Sequence, residues 1–160
     1  MNALILRQVG LLLHIIGFTT AAGVTLVSYI ASQRFLPLYA QDKEKGFAIL
    51  HSVSRLPRVA WAGLLLLIFS GVLMISTSGG GYGQLQWFRI KMIIVLLIIA
   101  VSLFVTRRLD NRLHEQVLED IAHGNKAQQI GTLARRIGYV QLCLLAFFLI
   151  IFVLIAFRFN

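Results

Sequence analysis

The chain has little of what soluble catalysts and disulfide scaffolds are built from. Its single cysteine, Cys143, among 160 residues excludes an intrachain disulfide, and one thiol makes no metal site. Three methionines, Met1, Met74 and Met92, are too few and too scattered for a thioether copper path. His114 opens the stretch HEQVLED, which lacks the second His of an HExxH zinc motif, so a zinc hydrolase has no footing. Charged residues make up only 13% against 58% apolar, outside the usual range of soluble domains. There is no internal repeat and no low-complexity tract, and short connections leave no room for a separate soluble domain.

What is present is apolar length. At about 20 residues per bilayer crossing, four windows qualify: 9–30, 59–76, 85–106 and 137–157. They predict one all-α domain over residues 1–160, an antiparallel four-helix transmembrane bundle in contact with lipid. The first run is too long for a signal peptide and lacks a small-residue cleavage pattern, so it reads as the first helix. Lys and Arg cluster in the first connection (Arg34, Lys43, Lys45, Arg55, Arg58) and the third (Arg107, Arg108, Arg112, Lys126, Arg135, Arg136), whereas residues 77–84 carry no charge. The positive-inside bias therefore expects both termini outside. The net charge of +9 is explained by topology and anionic headgroups, so no nucleic-acid partner is expected.

The connections differ in character. STSGGGYGQ, residues 76–84, is a glycine-dense turn. The third connection holds helix formers, so helix three is expected to run on past the membrane and helix four to start early. Leu109, Leu113, Val117 and Ile121 mark an amphipathic stretch there, suited to a membrane surface or another subunit. Ahead of Pro57, residues 47–56 fit either a separate interfacial helix or the start of one Pro-kinked helix. Trp61 and Trp87 read as interfacial anchors, and Cys143 as a small core or lipid-facing residue.

His14 is the residue that asks for chemistry, because an imidazole inside an apolar crossing needs a partner. Gly17, Phe18 and Ala21 follow it at i+3, i+4 and i+7 on one helix side. Such small residues let a neighbouring helix approach closely; they also leave space for a flat macrocycle beside a ligating nitrogen. The two readings of His14 are thus an axial haem ligand and a hydrogen bond across the bundle. Lys91 lies at the same depth, about 7 to 8 Å from the outer side. Its amine, if neutral, coordinates iron; its ammonium otherwise snorkels to the headgroups. Arg7 and Arg89, near the same face, suit haem propionates. His51 with Arg55 and Arg58 forms an i, i+4, i+7 stripe toward the inner side, which suits a second haem or a solvated interfacial His. The core side is expected to carry Gly17, Ala21, Gly63, Ser70 and Gly71.

Three segments carry a family likeness: LLHIIGFTTAAGV, RLPRVAWAGLLLLIFSGVL and WFRIKMIIVLLIIAV. Over residues 8–108 the chain resembles the four-helix bacterial membrane proteins that include the HemJ-type protoporphyrinogen oxidase and the CopD-like copper-resistance domain. His14, the Arg55, Pro57 and Gly71 pattern, and Trp87 with Lys91 carry the resemblance. It implies a multi-pass protein of the bacterial inner membrane, with haem binding at His14 and Lys91. Helix four and the loop before it show no Asn-Glu-Val-Pro-like segment, so the expectation is a b-type haem protein in electron transfer, with quinone or porphyrin as partner. Protoporphyrinogen oxidation is its enzymatic version, and a copper-handling protein or a non-catalytic subunit the competing class. So small a bundle would also gain shielding for a cofactor from a second copy of the chain.

Overall fold

The computed structural model of the protein describes residues 3–77, 86–124 and 126–157, without the side chains of residues 3, 87 and 155–157. The regular elements among them are all helical: α1 (Ala3–Gln41), α2 (Lys43–Val53), α3 (Leu56–Ser76), α4 (Gln86–Ala100), a π-helical stretch (Val101–Thr106), α5 (Arg107–His123) and α6 (Ala127–Phe157). Four helical runs are long and apolar enough to cross a membrane: Leu4–Gln41, Lys43–Ser76, Phe88–His123 and Ala127–Leu154. Their outward faces are apolar throughout, with Leu12, Phe69, Leu96, Phe104 and Leu149 all more than half exposed. Such length and apolar outer faces suggest a multi-pass membrane protein in contact with lipid. Cys143 lies exposed on α6. The glycine-dense turn falls outside the described residues, apart from Ser76 and Thr77.

The helices overrun the apolar windows at one end, called here the basic end; the opposite end carries the start of α1 and the end of α6. With 39 residues, α1 is about 58 Å long, nearly twice the roughly 30 Å of hydrocarbon. Hydropathy marks where a helix tolerates lipid, not where its hydrogen bonding stops. Asp42 then caps α2, accepting from the N–H of Glu44 at 2.9 Å and of Lys45 at 3.4 Å. These bonds, that of Lys45 foremost, hold the Asp42 carboxyl below the usual carboxylate range. Ser54 and Arg55 separate α2 from α3, and Pro57 sits in the first turn of α3, where its missing N–H costs nothing. The separate short helix is therefore the arrangement adopted. α5 closes on Gly124 at φ 74°, a left-handed cap that glycine adopts without strain, and α6 begins three residues later.

Packing is uneven. α1 is central, lying against α3 on one side and α6 on the other, while α4 and α5 rest on α6. α3 has no substantial contact with α4, the π stretch or α5. Two apolar layers fill the interior. One, midway along the apolar runs, joins Ala21, Leu64, Ile98, Leu144, Phe148 and Ile151, with Phe18 edge-on to Phe148 at 5.5 Å. The other, at the basic end, joins Phe35, Tyr39, Leu113, Val117, Ile130, Ala134 and Ile137. The amphipathic stretch of α5 is thus partnered by its own chain. Leu113 and Val117 turn inward while Ile121 stays 47% exposed, so the apolar face follows i, i+4 and then drifts off.

Asp120, fully buried, ties the basic end together. Its carboxylate accepts from the Tyr39 hydroxyl at 2.7 Å and the Lys126 N–H at 2.6 Å, and pairs with Lys43 Nζ at 2.8 Å. Four elements of the chain meet on one side chain. Tyr39→Phe removes a hydrogen bond to a charged group, an expected loss of about 1.5–3 kcal/mol. It should lower the unfolding midpoint in mild detergent at unchanged helix content; an unchanged midpoint would show that Tyr39 contributes only packing.

Candidate functional site

The site begins with how closely α1 and α3 approach. A Cβ on Gly17 would stand 2.8 Å from the Gly63 carbonyl oxygen and 2.9 Å from the Leu67 nitrogen; one on Gly63 would stand 3.0 Å from the Ala21 nitrogen. Backbone meets backbone, so α3 occupies the space beside these small residues. The room for a macrocycle expected on that side of α1 does not exist. Gly17, Ala21, Gly63 and Ser70 are buried as expected, and Gly71 lies half-buried beside the His14 ring.

This contact brings His14 to Ser70. The imidazole Nδ1 is 2.9 Å from Ser70 Oγ, and Ser70 Oγ donates to the Leu67 carbonyl at 3.1 Å. A hydroxyl has one proton. With that proton on the Leu67 carbonyl, Nδ1–H is the donor to Ser70, and Nε2 carries the free lone pair. The cross-bundle hydrogen bond foreseen for His14 is present, and it uses only one ring nitrogen. Metal-binding histidines are commonly oriented this way, one nitrogen donating to a fixed acceptor while the other ligates.

Lys91 is half-buried near the start of α4. α4 packs on α6 and makes no substantial contact with α3. Arg7 precedes His14 by seven residues on the same helix and Arg89 lies two before Lys91; both are exposed. Trp87's side chain lies outside the described residues. His14, Lys91, Arg7 and Arg89 therefore share the end of the bundle opposite the basic end.

The inner stripe does not assemble. The break at Ser54 and Arg55 takes α2 out of phase with α3. His51 and Arg55 end exposed, the His51 ring stacked on Phe47 at a centroid distance of 6.4 Å. Arg58, likewise exposed, is the one of the three that reaches the wall of a cavity. This cavity measures about 770 Å³, and its wall includes Trp61, Arg107, Asp110, His114 and Gln141. Trp61 is thus an interior wall residue. The π stretch helps form this wall through Ser102 and Thr106, and Thr106 Oγ1 donates to the Val101 carbonyl five residues back at 3.5 Å. Such π turns occur often beside functional sites. Along α1 the cavity starts at Ser28, about 21 Å from His14, with the middle apolar layer between.

Asp110, Gln141 and the partnership of His14 with Ser70 escaped the reading of the sequence. Gln141 is the one amide in the run 137–157 and Asp110 the acid three residues after Arg107, signals that pointed to no particular partner. Among the described residues no group of three or more His, Cys, Asp or Glu side chains gathers as a metal site. No family model matches the chain, and none of the curated proteins or solved structures matches it significantly.

Proposed function

We propose that this chain is an integral protein of a bacterial inner membrane, with both termini outside, that holds a b-type haem through His14 and serves in electron transfer. The observation that carries the proposal is the 2.9 Å hydrogen bond between Nδ1 and Ser70 Oγ, which engages one ring nitrogen and would leave Nε2 to ligate. The orientation rests on the Lys and Arg residues gathered at the α2 and α5 end, which favour the cytoplasmic side. Bound haem supplies one-electron transfer. The chain's own residues hold the ring through Ser70 and close the α1 and α3 side by backbone contact. Lys91 would supply a second ligand to the iron, and Arg7 and Arg89 would pair with carboxylates at the outer surface.

An optical spectrum of the purified protein tests the reading. A reduced-minus-oxidised haem signal is expected; its absence after haem loading would favour a copper-handling protein or a plain membrane subunit. Lys91 is tested in the same experiment. As a neutral-amine ligand it has no substitute in Arg, whose guanidinium stays protonated and offers no lone pair. Lys91→Arg should therefore change the low-spin spectrum, and Lys91→Met should shift it differently with a raised potential. An unchanged spectrum in the Arg variant would make Lys91 a snorkelling anchor.

A further inference from the structure

The basic-end cavity has a charge pattern that haem binding at His14 leaves unused. Arg58 and Arg107 line it, and so do Asp110 and Glu115. Two cations and two anions share one space, yet none of the four forms an ion pair among the described residues. Gln141, only 6% exposed, adds a side-chain oxygen that is buried and has no hydrogen-bond partner. Buried amides are ordinarily satisfied. The remaining wall mixes apolar side chains, among them Phe35, Leu50 and Trp61, with His114, Asn111 and the hydroxyls of Ser102 and Thr106. At about 770 Å³ the space falls within the roughly 300–1,000 Å³ of small-molecule sites.

Location narrows the occupant. Arg58 immediately precedes the apolar run 59–76 and Arg107 immediately follows the run 85–106, so the cavity sits where hydrocarbon gives way to headgroups. On one side it is walled by α3 and on the other by the π stretch and α5, helices that do not pack on each other. No substantial helix packing closes the side between them. We propose that the cavity binds the headgroup of a zwitterionic phospholipid with a primary amine. Its phosphate pairs with Arg58 and Arg107, its ammonium donates to Asp110 and Glu115, and its chains leave between α3 and the π stretch. Balanced wall charge selects a headgroup bearing both signs over one with net negative charge. This rests on the membrane placement proposed above and not on haem.

Trp61 in the wall is the reporter. Trp87→Phe leaves it the sole tryptophan, and the protein is placed in phosphatidylcholine nanodiscs carrying increasing fractions of bromine-labelled phosphatidylethanolamine or phosphatidylglycerol. Quenching by the ethanolamine lipid should saturate at a low mole fraction, with about tenfold more of the glycerol lipid needed, the effect of one charge-assisted hydrogen bond. Asp110→Asn together with Glu115→Gln should abolish the difference between the two lipids. Equal quenching in proportion to mole fraction would overturn the proposal while leaving the membrane placement standing. Displacement by soluble glycerophosphoethanolamine at matched concentration would overturn the lipid as occupant in favour of a free phosphoamine. No quenching by either lipid would overturn the membrane placement and the site together.

Discussion

Gly17→Val should unfold or disperse most of the protein in mild detergent. A Cβ at that position has 2.8 Å to the Gly63 carbonyl oxygen and 2.9 Å to the Leu67 nitrogen, and neither is a flexible side-chain tip that can swing away. α1 and α3 must separate along their closest contact, the principal one in the fold. Overpacking of this kind costs about 1–3 kcal/mol, with the branched side chain adding to the separation. Gly23→Val is the matched control, since a Cβ there meets nothing within 4 Å. The measurement is the fraction of monodisperse protein after a heating series. Equal survival of the two variants would show that the Gly17 and Gly63 crossing is not what holds α1 to α3.

The second large effect concerns His14. His14→Ala should lose most bound haem and still insert, because insertion depends on apolar length and ligation on the imidazole. Ser70→Ala isolates the orienting bond: it removes the acceptor for Nδ1–H and leaves the ligand in place. Loss of such a partner typically weakens metal affinity about 10–100-fold, so Ser70→Ala should hold haem weakly and with a changed midpoint potential. His51→Ala, at an exposed position outside the cavity wall, should leave haem content unchanged. A His14→Ala protein with its full haem complement would end the assignment. Half lost with each His variant would mean two sites.

Much of the architecture was legible because it follows from local rules. An apolar run of about 20 residues has few ways to satisfy its backbone in lipid except as a helix, and the four runs appear as four long helices. The continuation of helix three and the early start of helix four were readable from helix-forming residues between 110 and 136. Small residues at i+3 and i+7 of His14 foretold a close neighbour. They did not say whether that neighbour would be a helix or a macrocycle, since both need the same absence of side chain. The structure puts α3 there. Likewise the spacing of His51, Arg55 and Arg58 implied one face only if the helix ran unbroken, and the turn at Ser54 and Arg55 removed that condition.

The sequence by itself determined the helical class, the number of apolar crossings, the asymmetric placement of positive charge and the singular position of His14. Composition, periodicity and charge act locally along the chain, so one dimension suffices to read them. Tertiary structure alone decided that Ser70 faces His14. It also decided that Asp120 gathers Tyr39, Lys43 and Lys126, and that Arg58, Arg107, Asp110 and Gln141 surround one cavity. Apart from Lys126 on Asp120 and Asp110 near Arg107, these bring together residues 30 to 90 positions apart, set by the rotation of each helix about its axis and by the π stretch, which changes that rotation midway along a continuous helix. An apolar helix is stable in lipid at many rotations. Only the packing of small residues and the pairing of buried polar groups choose among them.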